Sequence, residues 1–285
     1  MPERASATLR RKELGRRLRA LRVQKNLAAQ DVATFLECSP AKVSRIESGA
    51  RAVNIRDVRL LCDLYEVEPE ARARLEELVR DSKQSSWYQS LDVDYGTYIG
   101  LEQSAATISE FQPLLVPGLM QTREYATALI EALVPELPAA VLEERVDARM
   151  GRQGILKRDD PPEVHLFIDE LAFGRVIGSP EVMAEQTEAL VEASRSPAVH
   201  IQIIPTSAGA YPGYPFTFAL LEFPNDEIPP VAYLEQHEGD LYLERREDIA
   251  RFRRVLNSLR SVGLSPKESR NRLESHHNRF KTGVI

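Results

Sequence analysis

The stretch LAAQDVATFLECSPAKVSRIESGAR, residues 27–51, decides the fold of the N-terminal part of the chain. Its apolar residues recur at helical spacing over residues 28–36 and again over residues 41–48. Between these two segments, Ser39 suits the position that caps a helix and Pro40 suits the first helical position. The stretch therefore predicts two short helices joined by a tight turn, which is the helix-turn-helix arrangement.

The apolar residues on either side of this stretch keep the helical spacing. They predict a helix over about residues 10–25 and two further helices after the stretch, one capped by Asn54 and one opened by Pro69. Gly49 is expected to end the second helix of the motif. We therefore expect an all-α five-helix domain over residues 1–82.

The charge of the chain is divided between its two parts. Residues 1–65 hold 14 Lys and Arg against 7 Asp and Glu, whereas the remaining residues hold 23 against 36. Phosphate attracts the first part and repels the second, so we expect double-stranded DNA to contact the N-terminal domain alone. A solvated basic surface is the alternative that charge by itself leaves open.

The second helix of a helix-turn-helix lies in the major groove, where its N-terminal residues face base edges. The residues in that position are Ser39, Ala41, Lys42 and Arg45. Arg45 can donate two hydrogen bonds to guanine, Lys42 can reach guanine or phosphate, and Ala41 can pack on a thymine methyl group. The residues expected at phosphates are Gln30, Ser44 and Arg51.

The quoted stretch resembles the helix-turn-helix of the Xre and phage-repressor type. In that family an arginine late in the first helix pairs with the glutamate that ends the recognition helix, which implies a structural pair of Arg22 and Glu47 here. The family often has a DNA-contacting glutamine where this chain has Ala29, with Gln30 beside it, so the contact residue stays open. The family turn often holds glycine, whereas Glu37 here costs on the order of 1 kcal/mol if its backbone is left-handed.

A second domain is predicted after a break in the apolar pattern. Ser, Gly and Asp accumulate over residues 83–100, which we interpret as a connecting segment, with Trp87 expected to pack on the second domain. Residues 101–285 are expected to form a mixed α/β domain with a small sheet. Helices are predicted near residues 101–111, 122–134, 138–156, 181–195, 246–261 and 266–280. Strands are predicted at residues 164–169, 199–205, 216–223 and 231–236.

This second domain resembles the C-terminal domain of unknown function found in actinobacterial antitoxin-like and developmental regulators. The resemblance covers about residues 85–280 and rests on motifs such as FQPLLVPGLMQTREYATALI, residues 111–130, and VHLFIDELAF, residues 164–173. It implies binding of a small protein encoded nearby.

Two features could form a ligand or partner surface. The loop SAGAYPGYPFTF, residues 207–218, carries the aromatic residues Tyr211, Tyr214 and Phe216, which either line such a surface or cover the sheet edge. A stripe of arginines on one predicted helix either docks an acidic partner, pairs with Asp169 and Glu170, or is solvated. These arginines are Arg145, Arg149 and Arg152.

The sequence offers little for catalysis. His165 and Asp169 share one face of a strand, but His200 and His237 lie on other segments without the spacing of a helical metal site. The two cysteines also lack metal-ligand spacing, and the glycine-rich loop lacks a phosphate-binding motif. We therefore expect no enzyme activity, no cofactor and no bound metal.

These observations predict a sequence-specific transcriptional regulator, a repressor acting as a homodimer. Apolar runs are too short to span a membrane and the N-terminus does not resemble a secretory signal, so we expect a cytoplasmic protein. A one-component sensor of a small molecule is one alternative. An enzyme with an accessory DNA-binding head is the alternative from another class.

Overall fold

The computed structural model describes residues 7–81, 93–224, 228–235 and 240–283. It divides the chain into two compact units, Met1–Ser104 and Ala105–Ile285. The predictions made for Trp87 and His237 fall outside the described residues. Within the described ranges, no helix has both the length and the apolar content needed to cross a membrane.

The described part of the first unit is entirely helical. Its helices are α1 (Ala7–Gln24), α2 (Ala29–Phe35), α3 (Pro40–Glu47), α4 (Ile55–Leu64), α5 (Pro69–Asp81) and α6 (Val93–Glu102). The first five correspond to the helices expected from the apolar pattern. The sixth lies inside the segment interpreted as a connection, and it ends at Glu102, where the sequence pattern had predicted the start of a helix.

Side-chain caps fix where the helices of the motif begin. Ser39 Oγ accepts a hydrogen bond from the Lys42 backbone N–H at 3.2 Å, and Pro40 fills the first turn of α3. Asn54 Oδ1 accepts from the Asp57 N–H at 2.7 Å and caps α4 in the same way. Each cap satisfies a donor that has no partner within its own helix.

The turn between α2 and α3 contains a residue with a left-handed backbone, at the position where the resembling family often has glycine. Glu37 has φ 50°, the region in which an L side chain is strained. The Glu37 N–H donates to Thr34 O at 3.2 Å and the Cys38 N–H donates to Ala33 O at 2.8 Å. These two bonds close a Schellman motif, which stops α2 and turns the chain into α3.

The core of the first unit draws on all of its first five helices. Its fully buried members include Leu14, Leu18, Val32, Val43, Ile46, Val58, Leu61, Cys62 and Leu75. Val43 and Ile46 are the contribution of α3, so the opposite side of that helix is left for solvent.

A six-stranded mixed sheet forms the centre of the second unit. Its strands are β1 (Thr107–Gln112), β2 (Glu163–Asp169), β3 (Val199–Ile204), β4 (Phe218–Glu222), β5 (Val231–Leu234) and β6 (Leu241–Leu243). The order across the sheet is β3-β2-β1-β4-β5-β6. β1, β2 and β3 run parallel, and the β4, β5 and β6 side is antiparallel.

The sheet is larger than the four strands predicted. The helix predicted near residues 101–111 is wrong, because residues 107–112 form β1 near the middle of the sheet. Ser109 and Glu110 are both buried there. Because these residues are polar, the segment lacks the apolar pattern of a buried strand. The three-residue β6 is too short to show a periodic pattern.

Helices connect and cover the strands. They are α7 (Arg123–Leu133), α8 (Ala139–Arg152), α9 (Pro180–Ala193), α10 (Arg246–Val262) and α11 (Pro266–Lys281). Along the chain, α7 and α8 connect the parallel strands β1 and β2, and α9 connects β2 and β3. Parallel neighbours require such crossover connections. α10 contributes to the core on one face of the sheet, beside Phe111, Phe167 and Phe218, and α11 packs on α9 and β3.

Candidate functional site

The recognition helix α3 is seated directly on α1. A Cβ atom on Gly15 would lie 2.4 Å from Ile46 O and 2.6 Å from Glu47 O, distances that no side chain tolerates. Gly15 therefore lets the two backbones touch. Gly15 was not among the residues predicted from the sequence. The available signal was a glycine in the middle of a helix, which costs about 1 kcal/mol relative to alanine.

The structure brings Arg22 and Glu47 together at the end of α3. Arg22 Nε donates to Glu47 Oε1 at 2.6 Å and Nη2 donates to Oε2 at 2.9 Å. Arg22 Nη1 also donates to Leu27 O at 2.7 Å, so one side chain joins α1, the following loop and α3. The hydrogen bond with Glu47 raises the pKa of Arg22, and this charged pair holds the recognition helix in place.

The outer side of α3 presents a small polar surface. Ala41, Ser44 and Arg45 are all exposed, and their spacing puts them on the side opposite Val43 and Ile46. Arg45 Nε donates to Ala41 O at 3.3 Å, and among the described residues its terminal nitrogens have no partner. Those nitrogens are the donors that a guanine edge requires.

Two of the predicted base-reading residues already have partners in the protein. Lys42 Nζ lies 3.2 Å from Asp57 Oδ2, an ion pair that ties α3 to α4. Ser39 Oγ accepts the hydrogen bond that caps α3, and its O–H remains available as a donor. Sequence reasoning missed Asp57, because nothing in the spacing of two residues on different helices indicates their contact.

The residues predicted at phosphates are exposed around α3. Gln30 is exposed at the start of α2, whereas its neighbour Ala29 is half-buried against the core. Arg51 is exposed, and its backbone N–H donates to Arg45 O at 3.0 Å, which folds the loop back on α3. Of the two candidates for the glutamine contact with DNA, Gln30 is thus the residue whose side chain reaches solvent.

Family models match most of the chain. The model described as Helix-turn-helix domain matches residues 13–75, and the model described as Domain of unknown function (DUF5753) matches residues 95–275. The chain belongs to the DUF5753 family. It joins a helix-turn-helix domain to a DUF5753 domain, a combination that indicates a DNA-binding regulator. No curated protein and no solved structure matches the chain.

The aromatic residues of the loop 207–218, in the DUF5753 domain, differ in burial. Tyr211 is buried, and its hydroxyl donates to the Asp169 carboxylate, so its side chain packs inside the domain. Asp169 also accepts from the Leu171 N–H at 2.8 Å. Tyr214 and Phe216 are 47% and 66% exposed, so the outer part of the loop is the part available to a partner.

The arginine stripe on α8 does not form one exposed surface. Arg145 is exposed, but Arg149 donates to Gln121 Oε1 at 2.8 Å and Arg152 is buried. Of the three arginines, Arg145 is thus the one that is exposed, and Arg149 is half-buried.

The acidic residues after β2 have other partners than those arginines, so the predicted pairing is wrong. Glu170 accepts from Arg272 Nη1 at 2.5 Å and lies 3.2 Å from His276 Nε2. Asp169 is engaged by Tyr211. Asp169 is thus engaged in a buried contact and Glu170 in a part-buried cluster, both at the carboxyl end of β2. Among the described residues, no hydrogen bond or ion pair joins His165 to Asp169.

Proposed function

We propose that this DUF5753 protein is a sequence-specific transcriptional regulator of the Xre and phage-repressor type, and that it acts as a repressor. The observation that carries the proposal is the exposed side of α3, where Arg45 has terminal nitrogens without protein partners. The excess of Lys and Arg over residues 1–65 supplies the attraction to phosphate.

The residues of α3 divide into two kinds under this proposal. Arg45 reads guanine and Ala41 packs on a thymine methyl group without any change in the protein. Lys42 has to exchange Asp57 for a DNA acceptor, and Ser39 donates its O–H while its oxygen remains the cap. Gln30, Ser44 and Arg51 fix the register through phosphates.

We propose a homodimer in the cytoplasm. α3 has eight residues and reaches few base pairs, so two copies are needed for a site of useful length. Two-fold symmetry then predicts a palindromic operator with half-sites about 34 Å apart, one turn of DNA.

We further propose that the DUF5753 domain receives a small protein encoded nearby, in the manner of an antitoxin. Four exposed apolar residues support this: Leu114, Leu171, Tyr214 and Phe216, at 61%, 40%, 47% and 66% exposure. The first two follow the carboxyl ends of β1 and β2, and the others precede β4, which runs antiparallel to β1. All four therefore lie at the same end of the sheet, and exposed apolar residues grouped in this way mark protein interfaces.

Selection of genomic fragments with the purified chain tests the proposal. We expect a short palindromic site to be enriched at near-physiological salt, and the affinity for that site to change when the product of the neighbouring gene is added. Phe216→Ser should abolish the change while leaving DNA affinity intact. Steeply salt-dependent binding without any enriched site would contradict specific reading, and a response to a small molecule instead would favour the sensor.

A further inference from the structure

Three potential metal ligands meet on one face of the sheet, at the amino ends of β2 and β3. Glu163 and His165 are two residues apart on β2 and so point to the same face. His200 is the register partner of His165 on the parallel neighbour β3. This cluster could not be predicted from the spacing of its residues, because the two histidines lie on strands separated in the chain by the crossover helix α9.

The donor atoms of these residues lie close together. His165 Nε2 is 3.1 Å and His200 Nε2 is 3.4 Å from the same oxygen, Glu163 Oε1. The ligand atoms of all three residues lie within 4.8 Å of one another. Zn²⁺ binds nitrogen and oxygen at about 2.0–2.2 Å in a tetrahedron, which places ligand atoms roughly 3.4 Å apart. The two nitrogen-to-oxygen separations, 3.1 and 3.4 Å, are close to that spacing.

We propose that Glu163, His165 and His200 bind one zinc-type divalent cation, with the remaining coordination position open to solvent. Two imidazoles and one carboxylate form a donor set that suits Zn²⁺ and not the all-oxygen preference of Ca²⁺ or Mg²⁺. The side chains of Glu163, His165 and His200 are 55%, 21% and 41% exposed, so an ion reaches them from solvent without any opening of the fold.

The two imidazole rings lie side by side on the same face of the sheet. They stack with their centroids 4.8 Å apart and their planes inclined by 21°. For both Nε2 atoms to bind one ion, the rings have to turn out of this stacked arrangement. β3 is one of the two edge strands of the sheet, and the ion would tie it to β2. The ion would thereby stabilise the DUF5753 domain, because binding to the folded state alone shifts the unfolding equilibrium.

Calorimetric titration of the tag-free full chain with Zn²⁺ tests the site. We expect one equivalent to bind and the melting temperature to rise with Zn²⁺. Glu163→Gln and His200→Asn should each weaken binding by more than about tenfold, since even outer-shell changes cost 10- to 100-fold. His277→Asn is the matched control, because asparagine keeps the donor to Ala184 O, and it should bind Zn²⁺ as the wild type does.

A second probe, Co²⁺, distinguishes loss of the site from unfolding of a variant. Co²⁺ should give the intense visible absorption of a tetrahedral site in the wild type and in His277→Asn, and this signal should be lost in His200→Asn with an unchanged far-ultraviolet circular dichroism spectrum. Absence of stoichiometric binding at millimolar Zn²⁺ would overturn the proposal. Equal affinity of the double variant Glu163→Gln, His200→Asn would also overturn it.

Discussion

Removal of Arg22 should release the recognition helix from the rest of its domain. Arg22 and Glu47 side chains are only 14% and 9% exposed, and Arg22→Met leaves the Glu47 carboxylate and Leu27 O without their donors. Loss of one partner of a fully buried ion pair costs about 3–5 kcal/mol. Because water still reaches part of this pair, we expect Arg22→Met to lower the free energy of unfolding by about 2–3 kcal/mol.

Replacing both partners should cost less than replacing Arg22 alone. Arg22→Met with Glu47→Leu leaves no buried charge, and apolar pairs often substitute for buried ion pairs at little cost. Urea unfolding followed by far-ultraviolet circular dichroism measures the loss, and hydrogen exchange shows whether the amides of residues 40–47 lose protection first. If Arg22→Met unfolds like the wild type, or if the double variant loses the sum of the two single-variant losses, the pair does not stabilise the domain.

Three further perturbations follow from the structure. Glu37→Gly should raise the free energy of unfolding by about 0.5–1 kcal/mol, because glycine adopts a left-handed backbone without strain. Glu37→Ala should give no such increase, and urea unfolding of the two variants measures the difference. Gly15→Ala should lower the free energy of unfolding by about 1–3 kcal/mol and weaken operator binding, because the new Cβ collides with Ile46 O. Unchanged stability would contradict the close approach of α1 and α3. Burial lowers the pKa of His276, so the unfolded chain takes up a proton that the folded chain resists. Stability should therefore fall from about pH 7 to pH 5, and His276→Gln should reduce that slope in unfolding measured across this range.

The helices of the motif could be predicted from sequence because their signals are local. Ser39, Pro40 and Asn54 mark helix starts through bonds that reach only three residues along the chain. The left-handed Glu37 was likewise visible as a departure from glycine. Such signals do not depend on the rest of the fold, and the structure contains both features.

Contacts between elements could not be predicted in the same way. The pairing of Lys42 with Asp57 and the touching of Gly15 with α3 depend on how helices pack. β1 was missed because Ser109 and Glu110 are buried among apolar neighbours, which breaks the expected pattern of a buried strand. The joining of His165 and His200 likewise depends on strand order, which no local pattern contains.

The base-reading role of Arg45 is tested most directly by anisotropy titrations on a panel of operator duplexes, each changed at one base pair. We predict that Arg45→Ala loses about 1–3 kcal/mol on the intact operator and no longer discriminates at one position. Arg51→Ala, the matched control, should weaken all duplexes alike and reduce the salt slope by about 1. If Arg45→Ala kept both affinity and discrimination, α3 would not be the helix that reads the bases.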